Sequence, residues 1–292
     1  MSPIDLTPRP AKTALTATAG FLEGFTHTLN PYMGCRFQCD YCYVQGSPVH
    51  LFHQPRLPWG EYAHPRTGIP EHLAKELARF AANGELEQLS IFMSSATDPY
   101  QGLERQWRLT RACLEVLIKY PPALLIVQTR SPLVQDDYRL LQQLGQRCWL
   151  NFTVETDLDS VRQAVTPRCP AIGKRWEVVQ AALALSLNVQ LVVSPCLPYS
   201  NVETFGSLLL AHSQRVIVDT YVSGDGTSGK RTAKTVIPAR YQDLGWGDWR
   251  AEDAAHTLYE WLHERIGDRV GWSQAGFTAL AKQSVSSRTM LN

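Results

Sequence analysis

The sequence has almost no net charge, no long apolar run and no low-complexity tract. Its 28 basic side chains nearly balance 27 acidic ones, giving a formal charge of +1. That balance argues against a surface that coats nucleic acid, although it leaves room for a local basic groove. The apolar runs, such as residues 124–127, are far too short to cross a bilayer.

Export signals are also missing from the sequence. Residues 1–20 lack a cationic start followed by an apolar core, so we expect no signal peptide. The chain has seven cysteines, an odd number. Together these features predict a cytoplasmic protein, because thiols stay reduced in the cytoplasm and remain available as metal ligands.

Three of the cysteines, Cys35, Cys39 and Cys42, have the spacing C-x3-C-x2-C. Neighbouring thiolates are soft ligands that suit an iron–sulfur cluster or zinc. A 4Fe–4S cluster needs a terminal ligand on each iron, so three cysteines leave one iron open to a ligand that is not protein. A structural zinc site takes four protein ligands, and His50 or His53 could supply the fourth, at a spacing irregular for a zinc finger. The motif favours the cluster and therefore predicts a metalloenzyme.

Short apolar segments rich in β-branched residues alternate with amphipathic helical patterns. The predicted strands lie at 26–33, 89–95, 124–129, 149–155, 189–195 and 216–222. The predicted helices lie at 70–83, 104–120, 136–144, 157–165, 174–187, 202–212 and 251–266. Six βα units with right-handed crossovers predict an α/β fold, a partial (βα)6 TIM-like barrel of parallel strands.

The same pattern divides the chain into three parts. We expect residues 1–22 to form a flexible N-terminal arm and residues 23–222 the barrel. Residues 223–292 are expected to give an insertion loop and a C-terminal helical extension packed on the barrel. Two long loops, at 44–69 and 223–249, are predicted to be lids or binding loops. Because the cysteines follow the first strand, they are expected at the carboxyl ends of the strands, where barrels of this kind react.

The cysteine motif, with Tyr41 before its third cysteine, resembles that of the radical S-adenosylmethionine (SAM) superfamily. The resemblance implies a radical SAM barrel core and a 4Fe–4S cluster whose open iron is chelated by the amino and carboxylate groups of SAM. It further implies that reductive cleavage of SAM gives a 5′-deoxyadenosyl radical, which abstracts hydrogen from a substrate. It also implies a small electron donor such as flavodoxin or ferredoxin.

Several segments narrow the resemblance to the spore photoproduct lyase-like branch, also labelled DNA repair photolyase-like. The matching segments are N-P-Y-M-G-C at 30–35, C-Y-V-Q at 42–45, T-D-P-Y-Q at 97–101, T-R-S at 129–131 and P-C-L-P at 195–198. The likeness runs from about residue 24 to residue 200, and the motifs agree in order.

By position, the resemblance implies four cofactor-binding residues. Thr97 would contact the SAM amino group, Arg130 would reach the cofactor, and Thr153 would lie near the ribose. Tyr41 would pack near the adenine. From the residues alone, Thr97 and Thr153 could equally cap helices or fill strand positions.

Two further residues are candidates for a catalytic role. Tyr43 matches a tyrosine implicated in radical relay, although its ring could simply shield the cluster from water. Cys196 follows the fifth strand and should face the open end of the barrel, although buried, inert cysteine is the commoner case.

Cys169 is a loop residue with no clear partner. Ser95 stands where the lyase has a hydrogen-donating cysteine, and because an O–H bond is stronger than an S–H bond, we do not expect thymine-dimer repair by the lyase mechanism.

Two other classes stay open at this point. An iron–sulfur electron-transfer protein would normally ligate every iron with protein and would need no barrel. A nucleic-acid-binding or repair protein with a structural metal would need a basic face, and only residues 230–240 hint at one.

Overall fold

A computed structural model gives the structure of the protein and describes residues 4–289, with side chains described up to residue 283. Within these residues lie eleven strands: β1 (Arg9–Pro10), β2 (Leu15–Ala17), β3 (His27–Leu29), β4 (Tyr32–Met33), β5 (His64–Thr67), β6 (Ser90–Met93), β7 (Leu124–Thr129), β8 (Cys148–Thr153), β9 (Val189–Val193), β10 (Arg215–Val218) and β11 (Val270–Trp272).

The same residues form twelve α-helices: α1 (Pro48–Leu51), α2 (Ile69–Ala82), α3 (Glu104–Trp107), α4 (Leu109–Lys119), α5 (Tyr138–Leu144), α6 (Asp159–Val165), α7 (Ile172–Ala184), α8 (Val202–Ala211), α9 (Tyr221–Gly224), α10 (Ile237–Asp243), α11 (Asp253–Ile266) and α12 (Ser273–Thr289). No helix in the described part of the chain is both long and apolar enough to span a membrane.

The main sheet has the order β11-β10-β9-β8-β7-β6-β3-β2, and its seven strands β3 and β6 to β11 are parallel. Helices connect successive parallel strands, as crossovers of this kind require. The α/β fold with a parallel-stranded partial barrel is therefore confirmed. The carboxyl ends of these strands meet at one end of the barrel, which positions the site described below.

Side chains alternate between the two faces of this sheet, as the period of a strand requires. One set packs outward against the helices and includes Ile91, Leu125 and Leu191. Their neighbours Phe92, Ile126 and Val192 form a second cluster with Ile217 and Phe277 on the other face. Because both faces are buried, the strands read as nearly continuous apolar runs, which is why the sequence located them well.

The N-terminal segment is less free than expected. Within the predicted flexible arm, β1 pairs with β5, and β2 pairs antiparallel with β3 at the edge of the main sheet. The backbone N–H groups of Ala14 and Leu15 also donate to the Glu76 carboxylate, at 2.9 and 2.8 Å. These bonds attach the arm to the barrel, so residues 9–17 correct the expectation of a flexible arm.

The C-terminal segment also differs from the expectation of a loop and helices alone. β11 adds a seventh parallel strand beside β10. The close packing of β11 against α12 depends on two glycines, because a Cβ at Gly271 would lie 2.3 Å from the Cα of Gly276. A three-residue strand is too short to show a periodic pattern, so no local pattern predicts it.

The predicted helix at 104–120 is broken in two at Arg108, whose φ is +50°. The Glu104 carboxylate accepts hydrogen bonds from the backbone N–H groups of Thr110 and Arg111, in the first turn of α4. It thereby provides acceptors for donors that the first turn of a helix leaves unpaired.

Candidate cluster and cofactor site

A cavity of about 500 Å³ lies at the carboxyl ends of the parallel strands. Its volume falls in the range of small-molecule sites. The sequence-predicted site residues that line it are Cys35, Cys39, Tyr41, Cys42, Tyr43, Thr97, Arg130 and Thr153. The structure thus brings together eight of the nine residues that the sequence singled out.

The cysteine loop begins at Gly34, directly after β4. Gly34 has a φ of +77°, and a Cβ there would lie 2.6 Å from the Tyr62 ring, so the position requires glycine. The fully buried Gln101 amide ties the loop down: it donates to the Gly34 carbonyl at 3.2 Å and accepts from the Arg36 N–H at 3.0 Å. Cys35 is therefore held between two fixed residues.

The three cysteines are free thiols, Cys35 and Cys39 being 7% exposed and Cys42 partly buried. Burial raises the pKa of Cys35 and that of Cys42, the latter to about 11, and the contact with Cys169 together with burial raises the pKa of Cys39. A metal must hold such groups as thiolates, so binding would release protons. No group of three or more His, Cys, Asp or Glu side chains is arranged to hold a single metal ion within the described residues. Thiolates on different irons of a cluster need not converge on one point, so this donor set fits a cluster better than zinc.

Arg130, which follows β7, connects the cysteine loop to a buried carboxylate. Its Nη1 donates to the Cys39 Sγ at 3.3 Å, to the Tyr41 hydroxyl at 2.5 Å and to the Glu155 carboxylate. Tyr41 and Arg175 also donate to Glu155. Burial raises the pKa of Glu155, but Arg130 and Arg175 outweigh that effect and lower the pKa to about 2. This network fixes the guanidinium beside the thiols.

Thr97 and Asp98, which follow β6, join the cysteine loop to the neighbouring strand. The Thr97 hydroxyl donates to the Gly34 carbonyl at 2.5 Å. The buried Asp98 carboxylate accepts from the Thr129 hydroxyl at 2.8 Å and from the Arg130 N–H at 3.1 Å. The ends of β6 and β7 are therefore held in register with the loop.

Thr153 and Tyr43 lie on different parts of the cavity wall. Thr153 ends β8 and accepts the Gln128 amide at 2.6 Å. The Tyr43 hydroxyl donates to the Ser95 carbonyl, and the residue is 37% exposed. Tyr43 thus contacts Ser95, which also lines the cavity.

Two expectations about the remaining cysteines are corrected. Cys196 does not line the cavity: its Sγ lies 3.8 Å from the Leu197 carbonyl, and it packs against the barrel core. β9 ends at Val193, so strand alternation does not extend to Cys196. Cys169 does have a partner, because its Sγ lies 3.6 Å from the Sγ of Cys39.

Asp219, which no sequence pattern indicates, lines the same cavity. Its carboxylate is buried and accepts from the Ser194 hydroxyl and the Thr220 N–H, each at 2.9 Å. Burial raises its pKa to about 6. The predicted strand ran to residue 222, whereas β10 ends at Val218. A shorter strand would have placed Asp219 at the reactive end of the barrel.

The two long loops reach the cavity, as the sequence predicted. Val44 and Trp59 line it from the first loop, and Asp225 and Arg231 line it from the second. The Asp225 carboxylate accepts from the backbone N–H groups of Thr227, Gly229, Arg231 and Thr232, at 2.7–3.1 Å. One carboxylate therefore orders the start of the second loop.

Comparison with known proteins agrees with this geometry. The family model of the radical SAM superfamily matches residues 29–210. A protein of Acidianus two-tailed virus is 31% identical over 182 residues, which is 60% of this chain and 57% of the viral protein. A protein of Methanocaldococcus jannaschii is 23% identical over 177 residues, 61% of this chain and 62% of the relative. Both relatives are described as uncharacterised, and the chain spans about three-fifths of their length.

Among solved structures, a spore photoproduct lyase variant superimposes with a TM-score of 0.62 at 13% identity. The match covers 92% of this chain and 81% of the lyase. Another structure of that lyase, with bound AdoMet and a dinucleoside spore photoproduct, has the same TM-score and identity. At this identity the likeness shows a shared fold.

Proposed function

Because the chain belongs to the radical SAM superfamily, whose enzymes carry a 4Fe–4S cluster and bind SAM, we propose that Cys35, Cys39 and Cys42 hold that cluster. When bound, cluster and SAM supply a 5′-deoxyadenosyl radical that abstracts hydrogen from a substrate. The observation that carries the proposal is a single cavity lined by all three thiols and by residues from three successive strand ends.

Thr97, Arg130 and Thr153 follow or end β6, β7 and β8, and we propose that they bind SAM. The Thr97 hydroxyl donates to Gly34 and accepts from the Gln101 amide, so its oxygen keeps one lone pair for an ammonium group. Arg130 is always charged and is fixed next to Cys39, where it offers donors to a carboxylate. Tyr41 is held through its hydroxyl by Glu155, so its ring is a fixed wall on which the adenine packs.

The wall around the thiols also keeps water away. Val44 and Trp59 pack with Cys35 and cover the cysteine loop from the first long loop. We propose that Tyr43, bonded to the Ser95 carbonyl, shields the cavity mouth and takes part in catalysis there. Exclusion of water protects a reactive radical from side reactions.

Radical SAM enzymes need a reductant and a substrate. We propose a small electron donor such as flavodoxin or ferredoxin, and a cytoplasmic location that keeps all seven cysteines free. Ser95 supports a reaction other than that of the lyase, because a serine hydroxyl is a poor hydrogen-atom donor.

The test is anaerobic reconstitution with iron and sulfide, reduction with dithionite and incubation with SAM. Release of 5′-deoxyadenosine by the wild-type protein supports the proposal, and Cys42→Ala should abolish it. Cys113→Ala is a matched control, because Cys113 is buried in α4 away from the cavity. A wild-type protein that binds four irons but releases no 5′-deoxyadenosine would contradict the proposal and favour an electron carrier.

A further inference from the structure

Asp219 is a buried carboxylate that forms no ion pair with any described side chain. It is 1% exposed, and none of the ion pairs among the described residues includes it. Its partners are neutral: Ser194 after β9, the Thr220 N–H, and Ser273 after β11. A buried charge without a counter-charge is costly, so proteins normally pair such groups.

A second carboxylate makes the local charge more negative. Glu252 accepts from the hydroxyl of Thr220, whose N–H binds Asp219, and from the Ser223 hydroxyl at 2.8 Å. Glu252 likewise takes no part in the ion pairs of the described residues. Arg231 lines the cavity, but its Nη1 donates to the Asp225 carbonyl at 2.9 Å. The two linked carboxylates are therefore left without a counter-ion among the described side chains.

An independent feature of the same cavity points to a ligand. Ser94 lines the cavity and is 3% exposed, yet its hydroxyl has no hydrogen-bond partner within the described part of the chain. Buried hydroxyls are normally paired, because an unpaired one costs about 1–3 kcal/mol. A polar ligand in the cavity would supply the missing partner.

Asp219 also lies apart from the residues that we assign to SAM. It follows β10, whereas Arg130 follows β7 and Thr153 ends β8, and β9 separates β8 from β10 in the sheet. We propose that Asp219, held by Ser194 and Thr220 in the cavity that the unpaired Ser94 hydroxyl also lines, is the substrate subsite and selects a substrate with a cationic nitrogen, an ammonium or guanidinium group. This inference rests on the proposed function, because it identifies the class of molecule that the radical attacks.

The test uses the reconstituted wild-type protein saturated with SAM and two probes of nearly equal shape, methylguanidinium and methylurea. Only the first is charged. Isothermal titration calorimetry should show methylguanidinium binding about tenfold or more tightly than methylurea. Equal affinities, or no methylguanidinium binding to the SAM-loaded protein, would overturn the inference. The second result would mean that SAM itself occupies this end of the cavity.

Variants locate the charge that selects the cation. Asp219→Asn keeps the size of the side chain and should weaken methylguanidinium binding about tenfold or more. Asp243→Asn removes the same charge from an exposed position at the end of α10 and should leave the affinity unchanged. Unchanged affinity in a folded Asp219→Asn protein would overturn the inference. If its thermal transition shows that it does not fold, the two probes on the wild type still decide.

The proposed function is judged by a separate measurement. Release of 5′-deoxyadenosine by the wild type tests radical SAM chemistry without reference to Asp219. Cleavage of SAM together with equal binding of the two probes would overturn the inference of a cationic substrate and leave the proposed function standing. Without cleavage, the cavity would lose its assigned reaction as well.

Discussion

The Sγ atoms of Cys39 and Cys169 lie 3.6 Å apart, although 130 residues separate them in the chain. Arg162 holds the Cys169 segment by donating to the Cys169 carbonyl at 2.9 Å. Two thiolates on one tetrahedral zinc would lie at about this separation, since each Zn–S bond is about 2.3 Å. Cys169 is therefore the residue that could challenge the assignment of Cys35, Cys39 and Cys42 as the only cysteine ligands of the cluster.

Cys169→Ala should retain about four irons per chain after reconstitution, because the account assigns no iron to Cys169. Cys39→Ala should lose most of its iron. Iron and sulfide analysis, with the absorption spectrum of the cluster, measures both variants. Equal loss of iron in the two variants would show that Cys169 is a ligand and that the iron assigned to SAM is taken.

Gly34→Ala should destabilise the cysteine loop by about 2–5 kcal/mol, because an added Cβ would meet the Tyr62 ring at 2.6 Å and the backbone φ is positive. Its iron content should fall with its stability. Gly84→Ala is the control: its φ is +70°, but a Cβ there meets nothing within 4 Å, so about 1–2 kcal/mol is expected. Urea unfolding of the reduced, cluster-free proteins measures both, and equal losses would contradict the role of the Tyr62 contact.

Glu155→Gln should destabilise the protein by about 3–5 kcal/mol at neutral pH, because it leaves Arg130 and Arg175 without their buried counter-charge. Glu177→Gln breaks an exposed ion pair with Lys174 and should cost about 0–1 kcal/mol. Urea unfolding again gives the difference between the two variants.

The Glu155 effect should depend on pH in a defined direction. Its pKa in the folded protein is lowered to about 2, below the value of about 4.3 in an unfolded chain. The carboxylate therefore contributes stability above about pH 4.3, and this contribution is lost as the pH falls toward 2. A Glu155→Gln deficit that stays constant over that interval would contradict the charge-based explanation.

Asp225→Ala should loosen the start of the second long loop, because its carboxylate accepts four backbone N–H groups. Hydrogen exchange in residues 225–232 should become about tenfold or more faster, as expected when local opening costs less. Asp248→Ala removes the acceptor of one backbone bond, to Arg250, and should affect only its own turn. Unchanged exchange near Asp225 would show that other contacts order the loop.

The parts of this fold that the sequence predicts well are those with strong local patterns. Strand β7 was predicted at its observed bounds, because its apolar run is buried on both faces. The cysteine motif predicted its own loop, because its spacing reflects the chemistry of three ligands. By contrast, β11 has three residues and depends on the contact between Gly271 and Gly276, which no local pattern shows.

Contacts between residues far apart in the chain could not be predicted from the sequence either. Cys169 looked isolated because its partner is Cys39, on a distant loop. Asp219 was missed because the predicted strand was four residues too long, which hid the carboxylate inside the strand. Cys196 does not face the open end of the barrel as expected, because the strand before it ends earlier than predicted. Such errors at strand ends matter here, because the candidate site is built from strand ends.

We propose that Cys35, Cys39 and Cys42 hold three irons of the cluster and leave the fourth for SAM. Electron–nuclear double resonance of the reduced, reconstituted wild type with SAM carrying a ¹⁵N-labelled amino group tests it most directly. If the open iron binds the SAM amino group, a ¹⁵N hyperfine coupling appears with labelled SAM and is replaced by a ¹⁴N coupling with unlabelled SAM. A cluster with four irons and no such coupling at saturating SAM would contradict it.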